Sequence, residues 1–416
     1  MKQNSVVITG IGVVSPFGAG REEFRRGLLE GRSGVRRISA FDAGDLAVQI
    51  AAEVPEDSLP APSAGEARNE SRTLRFARAA AGEAFADAGL DPQSWGLEEQ
   101  RDCGVILGTG GGSWEFTERQ YRRFLEGARR SSLSLYAVPS STAGNLSSAL
   151  SAGFGLRGPS WVVSTGCASS TDALGWAFRE IRSGRLRRIV AGGADAVITP
   201  STMAGFALMG ILARGWEADP SRASRPFSRS RSGLVVGEGA WMFILENGET
   251  ARARGARVYG RILGYGATCS AYHGVRLDAE AGESVRAIRI ALDEAGLVPE
   301  DVQYVSLHGT STVQNDKVET RIMHEGFGRH AWRLAAGAVK SMIGHPQGAS
   351  GAASLAATLL AGERGLVHPT VNLEDPDPEC DLDCVPEGPR RLDWVHALCH
   401  TLSFGSKNAA LVVGRG

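Results

Sequence analysis

Short β-branched runs alternate along the chain with longer amphipathic stretches, the pattern of an α/β protein whose strands are covered by helices. Residues 4–9 read as a buried strand. Residues 21–30 place apolar side chains at helical spacing and end at Gly31, and a Pro-, Ser- and Glu-rich loop over 55–72 precedes a helix over 73–88 that stops at Gly89. The run 104–107 reads as a strand entering the glycine-rich turn 108–113, and a helix follows through Glu118 to Leu125. Residues 161–164 form another strand, which turns at Thr165 and Gly166 and brings Cys167 to the start of a helix. In that helix Ala173, Leu174, Ala177, Phe178 and Ile181 recur on one face; Gly184 ends it and a strand over 188–191 follows. After a helix over 249–254, a second series of βα units begins near Val258. No sequence repeat links the two parts, yet their similar alternation over 1–255 and 256–416 predicts two similar halves sharing one core.

Composition narrows the function. At 416 residues the chain has material for two to three domain-sized units. With 45 Lys and Arg against 46 Asp and Glu, it has no basic field to hold nucleic acid or an anionic membrane. No uninterrupted apolar run reaches the roughly 20 residues of a membrane span. Thr9, Gly10, Gly12, Ser15 and Pro16 break the N-terminal apolar stretch, unlike a signal-peptide core, so the expected location is the cytoplasm. The six cysteines form no paired CxxC modules, which argues against a disulfide framework or structural zinc; Cys380 and Cys384 read as incidental. Glycine is abundant, at 54 residues, and points to tight turns and close backbone approaches.

Three residues carry candidate chemistry. Cys167, in STGCASSTDAL, is placed at a helix start, where the helix dipole would lower its pKa and favour thiolate; a buried filler role remains the alternative. His308, in YVSLHGTST, stands at a strand's carboxyl end, where α/β active sites gather. His345, in KSMIGHPQGASGA, sits in a glycine-flanked turn with Lys340 five residues upstream as a fixed positive charge. Together they form the Cys/His set of nucleophilic acyl chemistry. Of the other histidines, only His273 in SAYHG has a comparable setting. No His, Asp or Glu pair has convincing metal-ligand spacing on one helix face, so no metal is expected. The turn GTGGGS lacks the Lys-Ser/Thr sequel of a phosphate cradle.

The segments VVITGIGVVSPFG, STGCASSTDAL, SRPFSRSRSGLVVGEGA, LHGTSTVQNDKVE, AVKSMIGHPQGASGA and LSFGSKNAAL, in this order over essentially the whole chain, resemble a β-ketoacyl synthase. The resemblance implies the thiolase fold: five αβαβα layers built from two similar halves, 1–255 carrying the cysteine and 256–416 the two histidines. The two-histidine set resembles the elongating synthases, and STGCASSTDAL with PDPECDLDCVP is most similar to catalytic ketosynthase subunits of type II polyketide systems, polyene pathways included. By position, Cys167 would take an acyl chain from the phosphopantetheine of an acyl carrier protein. His308 and His345 would bond the malonyl thioester carbonyl and stabilise the enolate left by decarboxylation. The backbone N–H groups of Cys167 and of the gate residue Phe404 would form the oxyanion hole. Thr310 and Thr312 would contact the pantetheine arm, while Lys340, Asp316 and Glu319 would support the histidines. No metal or redox cofactor is implied. The implied partners are the carrier protein and either a second copy of the chain or a chain-length-factor-like subunit.

Departures from the family pattern bear on which member this is. In LSFGSKN, Ser403 and Ser406 stand for glycines, which predicts a stiffer gate. Ser354 stands where fatty-acid enzymes carry a glutamate paired with the active-site lysine, leaving Glu319 as the candidate partner of Lys340. SRSRSG lacks the acidic residues common after the RPF motif. Gly111 stands where a larger apolar residue closes the acyl pocket in many fatty-acid members, which predicts room for a longer or bulkier chain. Lys407 and the arginines of 185–188 are candidates for carrier docking. Ser141, Thr142 and Asn145 are candidates for the acyl tunnel, with helix capping as the competing role. The alternatives are a fatty-acid elongation synthase with the same chemistry and, from another class, a non-catalytic chain-length-factor-like subunit.

Overall fold

The computed structural model describes residues 4–127 and 133–416. Its two halves repeat one topology. The first orders its strands Ser160–Val163, Cys103–Gly108, Arg188–Asp195, Gly239–Asn247 and Val6–Ser15; the second orders them Ala335–Gly337, Tyr304–Ser306, His396–Ser403, Lys407–Arg415 and Gly260–Cys269. In each half the first two pairings are parallel and the last two antiparallel. Antiparallel pairing of Val6–Ile8 with Gly260–Ile262 joins the halves edge to edge. This is the thiolase fold.

Paired glycines explain how helices lie so close on both halves of the sheet. A Cβ on Gly10 or Gly12 would stand 2.1 or 1.8 Å from the carbonyl oxygens of Ala84 and Ala80 in the helix Arg72–Asp87. Gly264 and Gly266 repeat the arrangement against Ala291 and Ala287 of the helix Gly282–Ala295, each at 2.0 Å. These glycines are therefore strand residues. The first strand runs ten residues, to Ser15, rather than ending at residue 9. For a similar reason the strand expected over 188–191 continues through Gly192 and Gly193 to Asp195. The 55–72 stretch also departs from expectation, containing the helix Ala64–Asn69 begun by a capping box between Ser63 and Glu66.

Two further helices, Ser169–Arg182 and Ser350–Gly362, fill the middle layer. They cross closely, since a Cβ on Gly351 would meet Thr171 Oγ1 at 1.9 Å. All thirteen residues of Ser350–Gly362 are buried, as its SGAASLAATLLAG composition dictates. Each of the two helices is entered through a 3-10 turn, Gly166–Ala168 and Gln347–Ala349. The fold thus brings the residues preceding the two central helices, Cys167 and His345, to the same place.

Candidate active site

Cys167 Sγ lies 3.1 Å from His345 Nε2, and both residues are buried. The His308 ring stands at 89° to that of His345, with centroids 5.3 Å apart. Lys340 Nζ donates to the His308 carbonyl over 2.7 Å and lies 3.4 Å from His308 Nδ1. The three residues named first from the sequence, with Lys340, therefore form one cluster. It opens into a cavity of about 570 Å³ also lined by Thr310, Thr312, His273 and Phe404.

Burial governs the charges here. It pushes the Cys167 thiol up to about 11, opposed chiefly by the Lys340 charge. The sequence expectation of a lowered pKa at a helix start is thus reversed, because the thiolate is desolvated at this depth. Burial, and then the charge of Lys340, hold both His308 and His345 well below the usual histidine value, so both are neutral imidazoles. Lys340 itself is lowered to about 8 by burial, opposed chiefly by Glu319. A neutral base in contact with a neutral thiol can take its proton when an electrophile arrives.

Glu319 supports the site through the backbone. Its carboxylate accepts from His308 N at 2.6 Å, Gly309 N at 2.7 Å and His400 Nδ1 at 2.8 Å. It acts on Lys340 through its field, its carboxylate being taken up by those donors. Asp316 accepts from Phe227 N at 2.8 Å and pairs with Arg231 at 3.3 Å; burial raises its carboxyl to about 7. Thr310 and Thr312 join hydroxyls at 3.0 Å on the cavity wall. His273 lies at the exposed mouth, where its backbone N–H donates to Ser406 Oγ and its carbonyl accepts from the same hydroxyl. These two bonds hold Ser406 at φ +59, a conformation in which glycine is unstrained, and so pin the gate.

Several expectations change. The Cys167 N–H, assigned to the oxyanion hole, already donates to Ser403 Oγ at 2.8 Å, leaving Phe404 N–H as the donor facing the sulfur. Gly111 opens no space of its own, because a Cβ there would stand 2.2 Å from Val197 Cγ1; Val197 fills that volume. The arginines of 185–188 lie at the far end of the helix Ser169–Arg182, about 20 Å from Cys167. There they are paired, Arg185 with Glu180, Arg187 with Asp102 and Arg188 with Glu246. Thr142 closes the turn Pro139–Ser141 by donating to Pro139 O, and the helix Gly144–Phe154 has no side-chain cap.

Three residues that matter here, Asp195, Ser350 and His400, escaped sequence reading, and Ser403, read there only as stiffening the gate, has a second role. Asp195 is fully buried and accepts from Thr109 Oγ1, Gly110 N, Gly111 N and Gly348 N. It therefore ties the glycine-rich turn to the turn after His345, which explains those glycines without a phosphate. Ser403, Ser350 and His400 each touch a residue of the cluster or its support. A polar residue inside a buried strand, such as Asp195 or His400, was the available signal.

Comparison with known proteins agrees with this geometry. Residues 3–251 match the family model "Beta-ketoacyl synthase, N-terminal domain" and residues 259–374 its C-terminal counterpart. The chain belongs to the β-ketoacyl synthase family. The synthase is 40% identical to 3-oxoacyl-[acyl-carrier-protein] synthase 2 of Synechocystis sp., covering 99% of this chain and 98% of that one. It is 39% identical to the tetracenomycin polyketide synthase ketoacyl synthase alpha subunit of Streptomyces glaucescens, covering 99% and 97%. The solved ishigamide ketosynthase/chain length factor superposes with a TM-score of 0.90 at 33% identity, covering all of both chains. Members of this family catalyse decarboxylative condensation, and relatives of this synthase serve both polyketide and fatty-acid assembly.

Proposed function

We propose that the protein is the catalytic ketosynthase of a type II polyketide system, acting on acyl and malonyl groups carried by an acyl carrier protein in the cytoplasm. The observation that carries this reading is the 3.1 Å contact of Cys167 Sγ with His345 Nε2 beside His308 and Lys340. Cys167 attacks the acyl thioester, forms a new thioester and releases the carrier thiol. Malonyl carrier protein then enters. His308, with His345 beside it, holds the malonyl thioester carbonyl while CO₂ leaves; the resulting enolate attacks the acyl-Cys167 carbon, the carbon–sulfur bond breaks, and the β-ketoacyl product leaves on the carrier while Cys167 is freed as thiolate to regain a proton. Neither metal nor redox cofactor is needed, since carbon–carbon bond formation is driven by loss of CO₂. The Lys340 ammonium beside the cluster also opposes a cation there.

The phosphopantetheine arm would enter past Thr310 and Thr312. Around the mouth, Met209, Val275 and Val313 are exposed apolar residues, and Arg276 is an exposed cation, a combination suited to an acidic carrier. The sheet ends at Ser160–Val163, where Trp161 is 43% exposed; this edge suits a second copy or a chain-length-factor-like subunit. Fatty-acid elongation is the second reading, favoured by the 40% identical Synechocystis relative. A non-catalytic subunit would have no use for an assembled Cys, His and His.

Intact-mass analysis tests the proposal. Purified protein, with candidate partner subunits, is incubated with acyl carrier proteins of several chain lengths, alone and with malonyl carrier protein. An acyl adduct absent from Cys167→Ala, then a two-carbon-extended product, is expected, and the preferred acyl chain separates the two pathways. No adduct from any donor would overturn the catalytic reading.

A further inference from the structure

The hydroxyl of Ser350 is fully buried and has two neighbours. It lies 2.7 Å from the Gln347 carbonyl oxygen and 3.0 Å from His345 Nδ1. A carbonyl only accepts, so the single hydroxyl proton is used there. The Nδ1 atom meets an oxygen with lone pairs to offer, and the contact is a hydrogen bond when Nδ1 carries the proton. In a neutral imidazole the other nitrogen, Nε2, is then unprotonated, and this is the atom 3.1 Å from Cys167 Sγ. The neighbouring imidazole has the opposite arrangement. His308 Nδ1 faces the Lys340 ammonium, which can only donate, so its proton sits on Nε2.

We propose that Ser350 is a positioning residue that fixes His345 in its Nδ1–H form and so makes His345 the base for Cys167, leaving His308 as the hydrogen-bond donor. This rests on the reading of Cys167 as the acyl acceptor and divides between two imidazoles the role that the family resemblance gives to both. In loading, the Cys167 S–H proton moves to His345 Nε2 as the sulfur bonds the acyl carbon. The carbon–sulfur bond to the carrier breaks, and the imidazolium returns the proton to the departing thiolate. The groups that act on His345 are Cys167, His308 and Lys340; on its other side Ser350 is its polar contact.

The test combines ¹⁵N-histidine NMR, which reads the tautomer directly, with the pH dependence of Cys167 alkylation by iodoacetamide. His345→Gln assigns the resonance, and Cys167→Ala is the blank for alkylation. The parent is expected to show Nδ1–H at His345 and an alkylation rate that is shallow in pH across 6–8, because the base lies within the site. Ser350→Ala is expected to move the proton to Nε2, to slow alkylation at pH 7 at least tenfold, and to make the rate proportional to hydroxide. Ser350→Thr, which keeps the hydroxyl, should restore the parent behaviour. An Nε2–H signal in the parent overturns the proposal, as does a Ser350→Ala protein with the parent's tautomer or pH profile. The parent spectrum decides the tautomer even if Ser350→Ala does not fold. It also stands apart from acyl loading, so failure of the condensing reading is distinguishable from failure of this one.

Discussion

The backbone N–H of Cys167 donates to Ser403 Oγ across 2.8 Å, and the same hydroxyl donates to the Thr165 carbonyl across 2.8 Å. Ser403 packs where Gly166 has no side chain, a Cβ there standing 2.3 Å from Oγ. The serine oxygen thus sits on a donor that a thioester oxyanion would use. An incoming acyl group must displace it or work with Phe404 N–H alone.

Ser403→Ala removes the competing acceptor and is expected to speed acyl loading of Cys167. A typical hydrogen bond contributes about 1 kcal/mol net, so the gain should be roughly fivefold. The resting protein, left with an unsatisfied buried N–H, should lose about 1–3 kcal/mol of stability. Quench-flow mass spectrometry and denaturant unfolding measure the two effects. Slower loading would mean that Ser403 helps the reaction from where it stands.

The pKa of Lys340, about 8 in the folded protein against 10.5 free, sets a pH dependence of stability. Between these values the unfolded chain binds more protons than the folded one, so stability rises with pH across that window. Below pH 8 the buried charge carries its full cost. Lys340→Met removes it. Relative to this variant, the parent should gain on the order of 3 kcal/mol between pH 7 and 10.5. Urea unfolding at several pH values checks this; a difference that does not change with pH would refute a buried charged lysine.

Both halves of the sheet owe their close helix packing to paired glycines. Gly12→Ala and Gly266→Ala each drive a Cβ into a helix carbonyl, at 1.8 and 2.0 Å, and should cost about 3 kcal/mol or more. Gly205→Ala, in the helix Pro200–Leu208 with open space beside it, should instead stabilise by about 0.5–1 kcal/mol. Thermal unfolding of the three variants distinguishes packing from the general effect of replacing glycine.

Much of this was legible in the sequence. The periodicity of Ala173, Leu174, Ala177, Phe178 and Ile181 marked a core helix, and the turns around Cys167, His308 and His345 marked the chemistry. The two similar halves showed only as matching βα alternation, because the repeat's trace in residue identity is small: Gly10 and Gly12 in one half, Gly264 and Gly266 in the other. The state of Cys167 was not legible, since a helix start and burial push its pKa in opposite directions and only the fold says how deep the thiol lies. Ser350 looks like an ordinary turn serine, and Ser403 like a stiffening replacement in the gate, until residues 167, 345 and 403 meet in space. What stands beside Gly111 was hidden for a similar reason: a side chain there would meet Val197, 86 positions away.

His400 reaches His308 through Glu319. Its Nδ1 is 2.8 Å from the carboxylate that also holds the backbone N–H groups of His308 and Gly309. His400→Ala is expected to loosen the His308 turn and lower malonyl decarboxylation about tenfold. His400→Gln, which keeps a donor, should lose less. Loading of Cys167, which depends on His345, should change little in either variant. Equal losses in loading and decarboxylation would make His400 a general packing residue.

Arg276 tests the carrier-facing side of the cavity. It is an exposed cation at the mouth, and the nearby Val275 and Met209 are exposed apolar surface. A rim charge acts mainly on encounter with a charged partner. Arg276→Glu should therefore raise KM for acyl carrier protein several-fold while leaving kcat close to the parent's, and the effect should shrink as salt is added. With a small acyl thioester lacking the carrier, parent and variant should react alike. A loss that persists with the small thioester would place Arg276 on the path of the acyl-pantetheine arm instead of the docking surface.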